Sequence, residues 1–338
     1  MKNKKVTLKE LASELGVTAA TISKALRDSS EISTETKKRV KETAKRMGYQ
    51  PNMLARSLVN QRSYLLGVLV PDLRISFFSE VTRGIYERAR PLGYESIIVV
   101  NDENIDNEKR NLDFLFSLRV DGVLIDAVPG DTNFGLLKRM NDNGIKIVCY
   151  DRMLDALDFS SVTIDDAAAA FKLVQYFVEH SRRNILLLGP TEGFSVAAGR
   201  YSGYRTGLEH FGLEYKAEMV VKCRVDDYTD AEQKMALVLQ KGIKIDAVMC
   251  VGGLIAYGAG RAIQKARLNI PNDIMLSEFG DNHLVHRLGV PFITINQSPY
   301  EMGQKAVDLV IKLIENKTKS QPTQHIIIEN QLICRRMG

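Results

Sequence analysis

The chain has 338 residues, 45% of them hydrophobic and 26% charged, enough for two or three compact units with cores of their own. No run approaches the roughly 18 apolar residues that cross a bilayer. The basic start Met1–Lys5 leads into Val6-Thr7-Leu8-Lys9-Glu10 rather than an apolar signal core, so a cytoplasmic protein with no membrane partner is expected.

The charge is uneven. Residues 1–62 carry 14 Lys and Arg against 6 Asp and Glu, net +8, which leaves 32 against 35, net −3, for the rest. A basic head on a mildly acidic body is the pattern of a nucleic-acid-binding segment joined to a separate domain.

In the head, Thr7-x-x-Glu10 is a capping box, followed by Leu8, Leu11, Ala12 and Leu15 at helical spacing. Gly16 ends that helix. Thr18 caps a second, with Ile22, Ala25 and Leu26 inward. Ser33 or Thr34 starts a third, with Val40, Ala44 and Met47 inward, and Gly48 ends it. Two helices joined at Gly16-Val17-Thr18 make a helix-turn-helix pattern, in which residues at the start of the second helix face base edges. Pro51 breaks the chain, and 53–60 reads as a further short helix, too short to stand alone in water.

From Tyr64 strand-like runs alternate with amphipathic helices, which means βαβ units and parallel sheets covered on both faces. The strands read as Leu65–Val70, Ser96–Val100, Gly122–Ile125, Lys146–Tyr150, Ile185–Leu188, Met219–Lys222, Ala247–Val251 and Ile274–Phe279. After Phe292 come a strand Ile293–Ile295, a helix Glu301–Glu315 and one last strand His325–Cys334. The expected fold is an all-α helix-turn-helix head plus a two-lobed α/β body with parallel sheets.

Motifs for catalysis and metals are missing. There is no G-x-G-x-x-G turn, P-loop or G-x-S-x-G elbow in a suitable setting. The four cysteines form no C-x-x-C pair, and among five histidines only His283-x-x-His286 has a metal-like spacing. No enzyme, no metal and no cofactor are expected.

Four stretches then sharpen the picture: Val6–Ala12, Gly16–Leu26, Gly48-Tyr49-Gln50-Pro51-Asn52 and Ala55-Arg56-Ser57-Leu58. At this spacing they resemble the head of the LacI/GalR family of transcriptional regulators, and the similarity extends through the chain. The resemblance implies a helix-turn-helix domain at 1–50, a hinge helix and linker at 51–63, and a periplasmic-binding-protein-like effector domain at 64–338. Its lobes would comprise 64–164 with 294–320, and 165–293 with 321–338, with crossings near Thr163–Ala167, Phe292–Asn296 and Ser320–Thr323.

Candidate DNA contacts are Thr7, Thr18, Ala19, Ala20, Thr21, Ser23 and Lys24 in the head, and Asn52, Ala55, Arg56 and Leu58 in the hinge. Leu58 matches the family leucine that wedges into the minor groove, where an apolar side chain unstacks a base step. Lys24 stands where the family usually has Arg, and it lacks the two-pronged contact with guanine.

Effector candidates, by the same resemblance, are Phe77, Phe78, Asn101, Asp151, Ser195, Arg200, Gly252, Gly280 and Asp281, with Asp126 as a further polar group; Arg152 is expected to pair with a carboxylate. Many relatives have Asn-Asp where this chain has Gly252-Gly253, and Phe-Asp-Asp where it has Phe279-Gly280-Asp281. The function implied is a sequence-specific repressor that binds a palindromic double-stranded DNA operator as a homodimer. Its control would come from a small-molecule effector, a carbohydrate or its phosphorylated derivative, in the cleft between lobes. The lack of a heptad tail after Cys334 favours a dimer over a tetramer.

Overall fold

The computed structural model describes residues 6–26, 28–49, 62–130, 132–154, 156–224, 227–316 and 322–336. The chain separates into two units, Met1–Ser63 and Tyr64–Gly338.

The first unit holds α1 (Leu8–Leu15), α2 (Ala19–Leu26) and α3 (Thr34–Met47). The Thr7 hydroxyl accepts from the Glu10 amide at 3.3 Å, and the Thr7 amide donates to the Glu10 carboxylate at 2.8 Å, so both orphan donors are satisfied. Gly16 and Gly48 close α1 and α3 in the left-handed conformation, φ 66° and 69°. Leu11, Ile22, Ala25, Val40 and Ala44 form a small core of their own.

The second unit contains two six-stranded sheets. The first has the order β2-β1-β3-β4-β5-β11, built from β1 (Leu65–Val70), β2 (Glu95–Val100), β3 (Gly122–Ile125), β4 (Lys146–Tyr150), β5 (Ser160–Ile164) and β11 (His325–Ile328), all parallel. The second has the order β7-β6-β8-β9-β10-β12, from β6 (Ile185–Leu188), β7 (Val220–Val221), β8 (Ala247–Cys250), β9 (Met275–Phe279), β10 (Phe292–Asn296) and β12 (Gln331–Arg335). Only β12 runs antiparallel. Most interior strands are apolar on both faces because helices cover both sides, while β5 buries Ser160, Ser161 and Thr163, and β9 buries Ser277 and Glu278.

Helices α4 (Ser76–Ala89), α5 (Ile105–Ser117) and α6 (Phe134–Asp142) pack on the first sheet, and α7 (Asp166–Glu179), α8 (Ser195–His210), α9 (Tyr228–Gln240), α10 (Gly253–Lys265) and the short α11 (His283–His286) belong to the second. Helix α12 (Pro299–Glu315) returns to the first lobe and lies against α4. Close approach of α7 and α8 depends on Gly203, where a Cβ would stand 2.0 Å from the Ala167 carbonyl oxygen.

Three readings of the sequence need correction. The last strand is two: β11 pairs with β5 in the first sheet and β12 with β10 in the second, so the final crossing lies at 328–331 rather than 320–323. The polar pair Glu329-Asn330 divides them, and Asn330 is buried, its side-chain oxygen taking a hydrogen bond from Lys172 at 3.2 Å. All of β10 lies in the second sheet, so the lobes exchange chain at 296–299, not 293–294. Only Val220–Val221 of the expected strand 219–222 is extended, and β5 was not anticipated.

Candidate functional site

In the head, the Thr18 hydroxyl accepts from the Thr21 amide at 3.1 Å and fixes the start of α2. Thr18 and Ala20 are exposed, while Thr21, Ser23 and Lys24 are half-buried. Ala19 leans on the head's own core, so it has less surface to offer a base than its neighbour. Lys24 forms an ion pair with Glu31. Asn52, Ala55, Arg56 and Leu58 lie outside the described residues.

In the body, the loops at the C-terminal ends of both sheets face each other across one cleft of about 130 Å³, roughly ten times the ~10–15 Å³ that one water needs. The first lobe contributes Phe77 and Phe78 from the opening of α4, Asp102 and Glu103 after β2, and Asp151 and Arg152 after β4. The second contributes Phe194 before α8, Arg200 within it, Gly252 and Gly253 at the head of α10, and Phe279 to Asn282 after β9, excluding Asp281. Gln297 lines the cleft from the crossing between β10 and α12.

Two guanidinium groups organise it. Arg152 is buried, pairs with both Glu103 oxygens at 2.8 and 2.6 Å, and approaches Asp126 at 3.6 Å. The same group lies over the Phe194 ring, 4.7 Å from its centroid, and so joins the two lobes. Arg200 donates through Nε to Asp166 at 2.8 Å and through Nη1 to the Val251 carbonyl, and stacks 3.9 Å over Phe279. Burial pushes the Asp166 carboxyl up to about 6, against the pull of Arg200.

Asp151 is buried and takes a hydrogen bond from the Gln297 amide at 3.3 Å. Burial raises its pKa above the usual carboxylate range, opposed by Arg200 and Arg152. Burial acts the same way, and strongly, on Asp126. Asp102, Glu103 and Asp151 all have left-handed backbones, φ 53°, 52° and 58°, and such conformations in non-glycine residues gather at ligand sites.

Of the residues expected here, Phe77, Phe78, Asp151, Arg200, Gly252 and Gly280 line the cleft. Three do not. Asn101 is fully buried and its side-chain oxygen accepts from the Glu103 amide at 3.1 Å, so it shapes the loop instead. Ser195 accepts from the Met153 amide at 3.0 Å, a second bridge between lobes. Asp281 turns away to Arg335 and His286; burial acts to raise its pKa, yet these two partners hold it below the ordinary value. Sequence reasoning missed Glu103, Phe194, Asn282 and Gln297 as lining residues. The acidic run Asp102-Glu103 directly after an apolar strand was the available signal for the first.

Residues 66–318 match the model of the periplasmic binding protein domain, and residues 7–52 match that of bacterial regulatory proteins of the lacI family. The chain is 29% identical to the HTH-type transcriptional regulator RegA of Clostridium saccharobutylicum, over 97% of this chain and 98% of the relative. It is 28% identical to catabolite control protein A of Priestia megaterium, over 93% and 94%, and 28% identical to the ribose operon repressor of Halalkalibacterium halodurans, over 92% and 91%. Among solved structures, the lac repressor dimer bound to operator and an anti-inducer superposes with a TM-score of 0.84 at 23% identity, over 99% of each chain. The regulator CelR in complex with cellobiose superposes at 0.74 and 22% identity, over 99% of this chain and 100% of that one. A helix-turn-helix unit followed by two parallel-sheet lobes, matched end to end by such regulators, places this chain in the lacI family of bacterial DNA-binding transcriptional regulators, with a periplasmic-binding-protein body.

Proposed function

We propose that the protein is a cytoplasmic repressor that binds a palindromic operator as a homodimer and is controlled by a sugar in the cleft between its lobes. The observation that carries this is the pairing of two aromatic-lined loop sets across one cavity, with a buried, acceptor-rich Asp151 beside Arg200. Sugar rings stack on aromatic faces, and their hydroxyls both donate to carboxylates and accept from guanidinium groups. Relatives include a ribose operon repressor, and a structural neighbour holds cellobiose.

The coupling needs only that the effector bind the open and closed cleft unequally. Closure would then alter the docking of the two heads on DNA through residues 51–63. The cleft binds its ligand and returns it unchanged, without turnover.

The test is selection of binding sites from a random double-stranded DNA pool by the full-length protein at moderate salt, with and without a mixture of sugars. A palindromic consensus whose occupancy responds to a sugar is the expected result. Salt-sensitive binding with no enriched sequence under either condition would refute the reading.

A further inference from the structure

We infer that the cleft selects an uncharged, polyhydroxylated ligand and turns away the phosphorylated or carboxylated form of the same molecule. This deepens the reading of the cleft as the effector site and rests on it.

A balance of charge sets this preference. Asp72, Asp102, Glu103 and Asp151 line the cleft against Arg74, Arg152 and Arg200. Each guanidinium already serves a carboxylate: Arg74 pairs with Asp72, Arg152 with Glu103 and Asp126, and Arg200 with Asp166. The hydrogen-bond partner of Asp151 is the neutral amide of Gln297.

A further carboxyl lies directly behind the wall. Glu278 on β9 is fully buried, with one oxygen accepting from the Asn282 amide at 2.9 Å. Its other oxygen has no hydrogen-bond partner among the described residues, and it sits 2.6 Å from where a Cβ on Gly253 would stand. Gly253 itself lines the cleft. The carboxyls therefore outnumber the cations, both at the surface of the cleft and beneath it.

One feature of the cleft acts the other way. Helices α4, α8 and α10 start at its wall without a side-chain cap, and each N-terminus carries about half a positive charge. With Asp126, Asp166 and Glu278 counted, these ends do not outweigh the carboxyls, but they supply N–H donors. A hydroxyl uses both kinds of group, accepting from an N–H and donating to Asp151, and brings no net charge. A phosphate adds about 1.5 to 2 negative charges. For a guanidinium to hold it, Arg74 would have to leave Asp72, or Arg152 or Arg200 a buried carboxylate, unpaired.

The test is calorimetric titration of the full-length protein at pH 8 with glucose, galactose, ribose and cellobiose, and with the 6-phosphates of glucose and galactose, cellobiose 6′-phosphate, ribose 5-phosphate and glucuronate. Whichever neutral sugar binds should do so at least about tenfold more tightly than its anionic counterpart. Asp151→Asn should weaken the neutral sugar about tenfold without weakening the anionic one. Glu278→Gln should narrow the gap from the anionic side and leave neutral binding unchanged. A role that is merely structural would lower both together. An anionic form that binds as tightly as its parent, or a gap that neither variant alters, overturns the inference while the sugar reading stands. Binding by no member of either set overturns the sugar reading itself, and this inference with it.

Discussion

Arg152 presents its two terminal nitrogens to the two carboxylate oxygens of Glu103, at 2.8 and 2.6 Å, while Asp126 stands behind it with no exposure. The fork geometry of arginine suits such a bidentate contact. The two acids differ in what they lose when the arginine goes, because the Glu103 side chain keeps some contact with solvent and Asp126 keeps none. Arg152→Met should therefore cost about 3–5 kcal/mol, as expected for a buried charge left without its partner. Glu103→Gln leaves Arg152 beside Asp126 and should cost only about 1–2 kcal/mol. Urea unfolding of the two variants checks the order; equal losses would show that Asp126 does not depend on Arg152.

The buried carboxyl of Glu278 gives a pH signature. Burial pushes it from an ordinary 4.5 up to about 7, so the folded protein holds this proton where the unfolded chain has released it. Stability from this group is full below 4.5 and is lost as pH rises through about 7, by about 3.5 kcal/mol at 1.4 kcal/mol per unit. Glu278→Gln removes that loss, so the variant should be more stable than the parent at pH 8 and gain little at pH 4.5. Asp166 titrates in an overlapping window but is common to both proteins and cancels in the comparison. Denaturant midpoints at the two pH values measure it, and an equal effect at both would show that the carboxyl is not charged at pH 8.

The head and the alternation of strands and helices were legible because local signals agree: capping residues, apolar spacing and glycine stops all fall at the same boundaries. Strand β5 was not, since Ser160, Ser161 and Thr163 make it look like a loop. Its burial comes from neighbours distant in sequence. The Ser160 hydroxyl accepts from the Gln324 amide at 3.1 Å, and Ser161 meets the His325 ring at 2.8 Å. The cleft was legible loop by loop but not side chain by side chain. Gly280 and Asp281 are adjacent, yet only the first faces the cavity, because Asp281 is drawn to Arg335 on β12, 54 positions on. A one-residue distinction set by a partner that remote has no local signature.

Ile22 is fully buried in the head's core with Leu11, Ala25 and Val40, and that core is separate from those of the body. Ile22→Ala should cost about 2–5 kcal/mol through the lost contacts and the cavity left behind. The head is small and has little stability to spare. The expected outcome is loss of operator binding in a mobility-shift titration, with the main calorimetric unfolding transition of the full chain unmoved. A main transition lowered by several degrees would show that the two units unfold together.

Lys24 occupies the α2 position expected to meet DNA, yet it is engaged with Glu31. Both side chains keep substantial exposure, 43% and 64%, so solvent screens the pair and it is weak. DNA docking that uses Lys24 must break it first. Glu31→Gln removes that cost and should raise affinity for duplex DNA about two- to fivefold. Lys24→Met should weaken binding and, if the lysine neutralises a phosphate, flatten the slope of log affinity against log salt by about 0.9. The effect of Glu31→Gln should vanish on the Lys24→Met background, because the gain runs through the lysine. A gain that survives there would mean that Glu31 acts on DNA by direct repulsion. Lys24 would then need no release before docking, and the base preference of the head would have to be sought in Thr18, Ala20 and Thr21.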